Sequence, residues 1–266
     1  MIEPINDHKP LAKEVTDDGI CTLTLDRPDA MNSLNGPLVQ ALRDTFYDLR
    51  YDPSIRVVIL TGGSGPAFCA GADLKERQGM TEAQVRQRID DYRITFDMIA
   101  SLPKPTICVI NGYAFGGGLE LALACDIRLV ASDTKVGLTE LRLGIIPGAG
   151  GTQRLTRLIG VARAKEMIFT GAKVTGVRAA ELGLANYSVV PEELPDRARR
   201  MAEDMLLSAP VALTQAKLAI DTGTGIDLAS GLDVESLAYN VTLPTEDRLE
   251  GLAAFKERRR PDFKGK

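Results

Sequence analysis

The chain has 266 residues, one large domain or two small ones, and its 44% hydrophobic and 26% charged side chains suit a globular protein with a sizeable core. Its formal net charge of −4 gives no sign of a general nucleic-acid-binding surface. The single histidine, His8, lies in the polar stretch Asn6-Asp7-His8-Lys9-Pro10, which argues against Ser-His-Asp or Cys-His catalysis and against imidazole metal sites, and leaves acid–base work to carboxylates, lysine, tyrosine or backbone groups.

Residues 15–26 read as a turn and then a strand, with Ile20, Thr22 and Thr24 on one face and Cys21, Leu23 and Leu25 on the other. Pro37 opens a helix at a favoured first position. Leu38, Ala41, Leu42, Thr45, Phe46 and Leu49 recur at helical spacing and give it one apolar face. Residues 57–60 form a short buried strand that runs into Gly62-Gly63-Ser64-Gly65-Pro66. Thr81 and Gln84 have the spacing of a capping box, and the helix they open should run to about Ala100. A second buried strand at 105–110 ends in Asn111-Gly112-Tyr113-Ala114-Phe115-Gly116-Gly117-Gly118, which opens another helix, and a third strand follows at 127–130. Strands alternating with helices predict an α/β core around a largely parallel, buried sheet.

After Pro191 the pattern changes to helices alone, at 197–207, 211–220, 228–243 and 245–259. The division predicted is a core of residues 1–191 that holds the active site and a helical region of residues 192–266. Cys21, Cys69, Cys108 and Cys125 form no C-x-x-C pair and read as reduced packing residues, which points to the cytoplasm. No apolar run nears the roughly 18 residues of a membrane span. The first 12 residues lack the apolar core of a signal peptide.

Three glycine-rich segments need explaining. The 62–71 segment has no lysine followed by Ser or Thr, so it is not a P-loop; 148–153 lacks the third glycine of a dinucleotide fingerprint; Gly116-Gly117-Gly118 is an unspaced run. Each can be a tight turn. All three also fall beside a strand end or a helix start, where bare N–H groups can face a ligand, and two such loops converging on one oxygen would make an oxyanion hole.

Two carboxylates stand out. Glu120 is the only polar side chain from Phe115 to Cys125, so it lies on a helix apolar nearly all round. A buried carboxylate there either caps a neighbouring backbone group, pairs with an arginine, or is catalytic, and burial would raise its pKa toward the range of a general acid or base. Glu140 alone reads as a solvated residue of an amphipathic turn. Its position, 20 residues after Glu120 and beside another glycine-rich loop, makes a paired-glutamate mechanism the natural candidate.

At these residues the sequence resembles the enoyl-CoA hydratase/isomerase (crotonase) superfamily over nearly its whole length. The matching segments are Phe68-Cys69-Ala70-Gly71-Ala72-Asp73-Leu74, 111–120 ending in Gly116-Gly117-Gly118-Leu119-Glu120, and 143–155 around Ile146-Pro147-Gly148-Ala149-Gly150-Gly151. The resemblance implies a spiral of ββα units with a helical C-terminal region that builds homotrimers, often paired into hexamers. It implies that the N–H groups of Ala70 and Gly117 hold the thioester oxygen, that Glu120 and Glu140 are the two catalytic glutamates, and that Gly148 helps to place the catalytic water. Further substrate contacts are implied at Ala30, Met31, Gly71, Ala72, Asp73 and Leu74. Phe255 and Arg258 would reach coenzyme A bound to the neighbouring subunit. Asp29 stands where the family often has a basic residue.

Members that isomerise or hydrolyse commonly lack one glutamate, so the resemblance implies a hydratase that adds water syn across the double bond of a short or branched 2-enoyl-CoA; an isomerase or another crotonase-type acyl-CoA enzyme is the alternative. Coenzyme A is part of the substrate, and no separate cofactor or metal is implied. Phe68 to Arg77, Gly116 to Arg128 and the tail from Pro244 are most similar to 3-methylglutaconyl-CoA hydratases of leucine breakdown, with short-chain enoyl-CoA hydratases close behind. An RNA-binding branch carries a lysine stripe where this chain has Gly36, Gln40 and Asp44, so neither nucleic acid nor membrane is an expected partner.

Overall fold

A computed structural model describes residues 9–266, and His8 lies outside them. Among the described residues ten strands form two sheets. The larger has β1 (Leu11–Val15), β2 (Ile20–Leu25), β3 (Val57–Thr61), β5 (Thr106–Ile110), β7 (Ile127–Ala131) and β10 (Tyr187–Val189) in that order. All its neighbours run parallel except β1, which pairs antiparallel with β2 at the edge. The smaller has β4 (Ala67–Cys69), β6 (Tyr113–Phe115), β8 (Lys135–Gly137) and β9 (Val174–Thr175).

Three times the chain steps from the larger sheet to the smaller and then toward a helix. β3 and β4 precede α2 (Leu74–Arg77), and β5 and β6 precede α4 (Gly117–Leu123); β7 and β8 lead through a 3-10 turn at Glu140–Leu143 into α5 (Gly151–Ile159). This is the ββα repeat. The predicted long strands fall at β2, β3, β5 and β7. β1 and the strands of the smaller sheet do not emerge from the sequence pattern, because β1 buries only Leu11 and the others span two or three residues.

The core has two layers. On one face of the large sheet Cys21, Leu23 and Leu25 meet Leu38, Leu42, Phe46 and Leu49 of α1 (Gly36–Tyr51). Burial of each such large apolar side chain contributes about 1.5–3 kcal/mol. Asn35 caps α1 by accepting the Leu38 amide, and Pro37 sits in its first turn. α3 (Glu82–Ala100) opens on the predicted capping box of Thr81 and Gln84 and buries Tyr92, Thr95, Phe96 and Ile99. α6 (Val161–Thr170) and α7 (Gly176–Glu181) complete this side. On the opposite face Ile20, Ile59 and Val109 are covered by Leu194, Ala198 and Ala202 of α8 (Leu194–Leu206).

The switch to helices falls just past β10, but the first long helix beyond it packs on the sheet. α9 (Pro210–Gly223) and α10 (Leu228–Thr242) pack chiefly on one another, and α11 (Glu246–Glu257) follows. Leu228, Leu232, Leu237 and Tyr239 of α10 are exposed, as are Leu249, Leu252 and Phe255 of α11. The buried Asp247 side chain accepts the amides of Lys264 and Gly265, folding the tail back on α11. Among the described residues no helix is long and apolar enough to cross a membrane.

Candidate functional site

The site begins with two loops laced together. Asn32, 2% exposed, accepts the Arg27 amide and donates to the carbonyls of Gly62 and Ala67. Arg27 pairs with Asp73 at 3.0 Å, and Asp73 also caps α2 by accepting the amides of Lys75 and Glu76. The backbones pair too. Ala70 N–H donates to Met31 O, Leu34 N–H to Gly71 O, and Asp73 N–H to Leu34 O. Burial works against the Asp73 charge, but Arg27 and the two helix amides outweigh it and hold the carboxyl below its ordinary range.

That lacing fixes which amides are available. Ala70 N–H is taken by Met31, so it is not free to hold a ligand oxygen as the sequence implied. The pairing with Leu34 uses Gly71 O and Asp73 N–H, which leaves the Ala72 N–H on the other edge of the strand-like segment. Ala72 N lies 3.7 Å from where a side chain on Gly117 would begin. Gly117 is the first residue of α4, where an amide has no partner within the helix. Gly71, at φ +102°, keeps the space between open: a Cβ there would stand 2.8 Å from Phe115 O and 3.5 Å from Gly117 N. Among the described residues, the neighbouring amides left without a backbone acceptor are therefore those of Ala72 and Gly117.

Glu120 projects from the first turns of α4 and is 3% exposed. Its Oε1 accepts the amides of Ala149 and Gly151, each at 2.8 Å, so it holds the start of α5. Both bonds fall on Oε1, and the residue also lines the cavity. Gly151 must be glycine, because a Cβ would lie 2.8 Å from that oxygen. Burial raises the Glu120 carboxyl, and the two amides and Arg154 offset only part of the rise.

Glu140 opens the 3-10 turn after β8 and is 8% exposed, not solvated. Among the described residues neither carboxyl oxygen has a hydrogen-bond partner. Burial, augmented by the charge of Glu120, pushes it up to about 7; the nearby amides of Glu140 itself and Thr139, outside hydrogen-bond geometry, draw it back only in part. Gly116, at φ +51°, keeps its Cα side clear for it, since a Cβ there would meet Glu140 Oε1 at 3.1 Å.

The two glutamates line one cavity of about 200 Å³ together with Ala70, Gly71, Ala72 and Leu74. Gly117 and Gly148 also line it. Of the other predicted contacts, Asp73 turns its side chain to Arg27, while Ala30 and Met31 lie on the adjoining loop outside the lining. Phe255 is 87% exposed, and Arg258 terminates α11; neither lines the cavity. The sequence reading missed Arg77, Ile89, Tyr92 and Ile146 in the wall. Tyr92 shares the buried stripe of α3 with Thr95, Phe96 and Ile99, a visible signal for burial but not for a cavity; its hydroxyl donates to Leu34 O at 2.8 Å.

A family model for enoyl-CoA hydratase/isomerase matches residues 15–266. The human enoyl-CoA hydratase domain-containing protein 2, mitochondrial, is 48% identical over 254 residues, covering 94% of this chain and 87% of that protein. The human methylglutaconyl-CoA hydratase, mitochondrial, is 46% identical over 251 residues, 93% of this chain and 74% of that protein. The crystal structure of enoyl-CoA hydratase from Bacillus anthracis superposes with a TM-score of 0.95 at 46% identity, covering 97% of this chain and all of that one.

Proposed function

Because the chain belongs to the enoyl-CoA hydratase/isomerase family and has its crotonase fold, we propose that the cavity adds water reversibly and syn across the C2=C3 bond of a 2-enoyl-CoA. The observation that carries this reading is two buried carboxylates, one bonded to amides and one without a hydrogen-bond partner among the described residues, lining one cavity beside the unpaired amides of Ala72 and Gly117. Isomerisation needs one proton shuttle; two glutamates favour hydration.

The division of labour follows from the surroundings of each carboxyl. Glu120, with two amides on one oxygen, is the better anion and takes a proton from water as the water oxygen bonds to C3. Glu140, without a donor and pushed up to about 7, keeps its proton in a substantial fraction of molecules at neutral pH and delivers it to C2. Negative charge gathers meanwhile on the thioester oxygen, where the Ala72 and Gly117 amides receive it; one such donor is worth about 2.7–4 kcal/mol. Gly148 lines the same cavity, which supports its amide as the group that orients the water. Coenzyme A enters as part of the substrate, and the reaction uses no other cofactor.

The cavity volume of about 200 Å³ falls below the roughly 300 Å³ at which pockets begin to hold drug-sized ligands. That suits a short or branched acyl group. Exposed Leu and Tyr side chains on α10 and α11 support assembly into a homotrimer or a pair of trimers. Four free, buried cysteines support a reducing compartment, which we take to be the cytoplasm.

The test is hydration of crotonyl-CoA, followed as loss of enoyl-thioester absorbance. Glu120→Gln and Glu140→Gln should each fold as the parent does and lose about 10²- to 10⁴-fold in kcat. Near-parental turnover by either variant removes that residue from the mechanism.

A further inference from the structure

Among the described residues Arg77 is the single cation in the cavity lining, and it is half-buried. Among the described residues it has no ion pair and no side-chain hydrogen bond, while its neighbours are committed elsewhere. Asp73 is held by Arg27, and Glu76 by Arg88 at 2.7 Å and by the Gly36 amide. A guanidinium removed from bulk water without a counter-charge is costly unless something supplies one.

Its place in the cavity is separate from the reacting carboxyls. The cation that acts on Glu120 is Arg154, and the charge that acts on Glu140 is Glu120, whereas Arg77 acts on the Tyr92 phenol. Leu74 and Arg77 lie three residues apart on α2 and so share one face, and both reach the cavity. Arg77 also lines a small recess between α2 and α3 with Val85, Ile89 and Tyr92. The thioester end is fixed by the Ala72 and Gly117 amides, and C2 and C3 by the glutamates. The α2–α3 wall is then left for acyl carbons beyond C3.

Resting on the hydratase reading, we infer that the acyl group taken by this enzyme carries a free carboxylate at its far end, and that Arg77 is the residue that selects it. The substrate class is a monothioester of coenzyme A with a short unsaturated dicarboxylic acid. A guanidinium meets a carboxylate through two parallel N–H···O bonds, a geometry lysine does not reproduce.

Binding is measured first, with ligands that cannot be hydrated. By calorimetry, the parent should hold glutaryl-CoA about 10- to 100-fold more tightly than butyryl-CoA, the worth of one charge-assisted contact. Arg77→Met should erase that ratio, and Arg77→Lys should restore part of it. Turnover is measured second: the kcat/KM ratio of 3-methylglutaconyl-CoA to crotonyl-CoA should fall by a similar factor in Arg77→Met. Equal weakening of both ligands would make Arg77 a contact to coenzyme A or a purely structural residue, and an unchanged ratio would leave it without a role; either overturns the proposal. Loss of the hydratase reading looks different, because the parent would then hydrate neither substrate while the two saturated ligands still reported on Arg77.

Discussion

Glu140 is a carboxylic acid without a hydrogen-bond donor, and two measurable pH effects follow. If its proton goes to C2, kcat/KM for hydration should fall as pH rises through about 7, and the residual activity of Glu140→Gln should lack that descending limb. Stability should show the same group. Its folded pKa is raised, so the folded state keeps a proton that the unfolded chain releases near 4.5; stability is full at low pH and declines as pH rises toward about 7. Glutamine never ionises. Glu140→Gln should therefore gain about 2 kcal/mol relative to the parent between pH 5.5 and 8.5 in urea melts. An advantage that does not change with pH would mean that the side chain ionises freely. From the sequence alone Glu140 read as exposed, because its neighbours Leu141 and Arg142 give the pattern of a surface turn; only the meeting of β8 with the start of α4 encloses it.

At the scale of elements, Glu120 ties α4 to the start of α5. Its two readings from sequence, backbone cap and catalytic group, are compatible, because one oxygen bonds the Ala149 and Gly151 amides and the residue still faces the cavity. The two functions separate by substitution. Glu120→Ala leaves both buried amides without a partner and should lower stability by about 1–3 kcal/mol for each amide that water cannot reach. Glu120→Gln keeps an acceptor oxygen and should stay close to the parent in melting temperature while being as inactive as the alanine variant. Equal stability of the two would show that the α4–α5 junction does not depend on this cap. Long elements were legible because α1 and α3 repeat their apolar faces over several turns and carry recognisable caps. The strands of the second sheet were not, since three residues such as Ala67–Cys69 are too few to display a period. The choice between Ala70 and Ala72 is likewise invisible in a sequence: it depends on which edge of the chain pairs with Met31 and Leu34, and on the positive φ of Gly71 between them.

The whole molecule leaves its last helices underused. α10 buries only Ala238, and α11 buries only Asp247 and Ala254, while Leu237, Leu249, Leu252 and Phe255 stay at least 60% exposed. Composition marked this region as helical, but no periodicity could say what it covers, because its apolar side chains stay exposed within the chain. On the trimer reading, Phe255 and Arg258 complete a neighbour's site, and complementation tests this directly. A Phe255→Ala/Arg258→Glu variant keeps its glutamates and loses the tail contacts; Glu120→Gln keeps the tail and loses the chemistry. Each alone should turn over crotonyl-CoA poorly, the first mainly through a raised KM. Expressed together in equal amounts, random trimers place an intact cavity beside an intact tail in about one quarter of sites, so activity should return to about 25% of the parent. Activity no greater than the sum of the two separate variants would mean that the tail serves its own subunit or none, and a parent that sediments as a monomer would remove the assembly altogether.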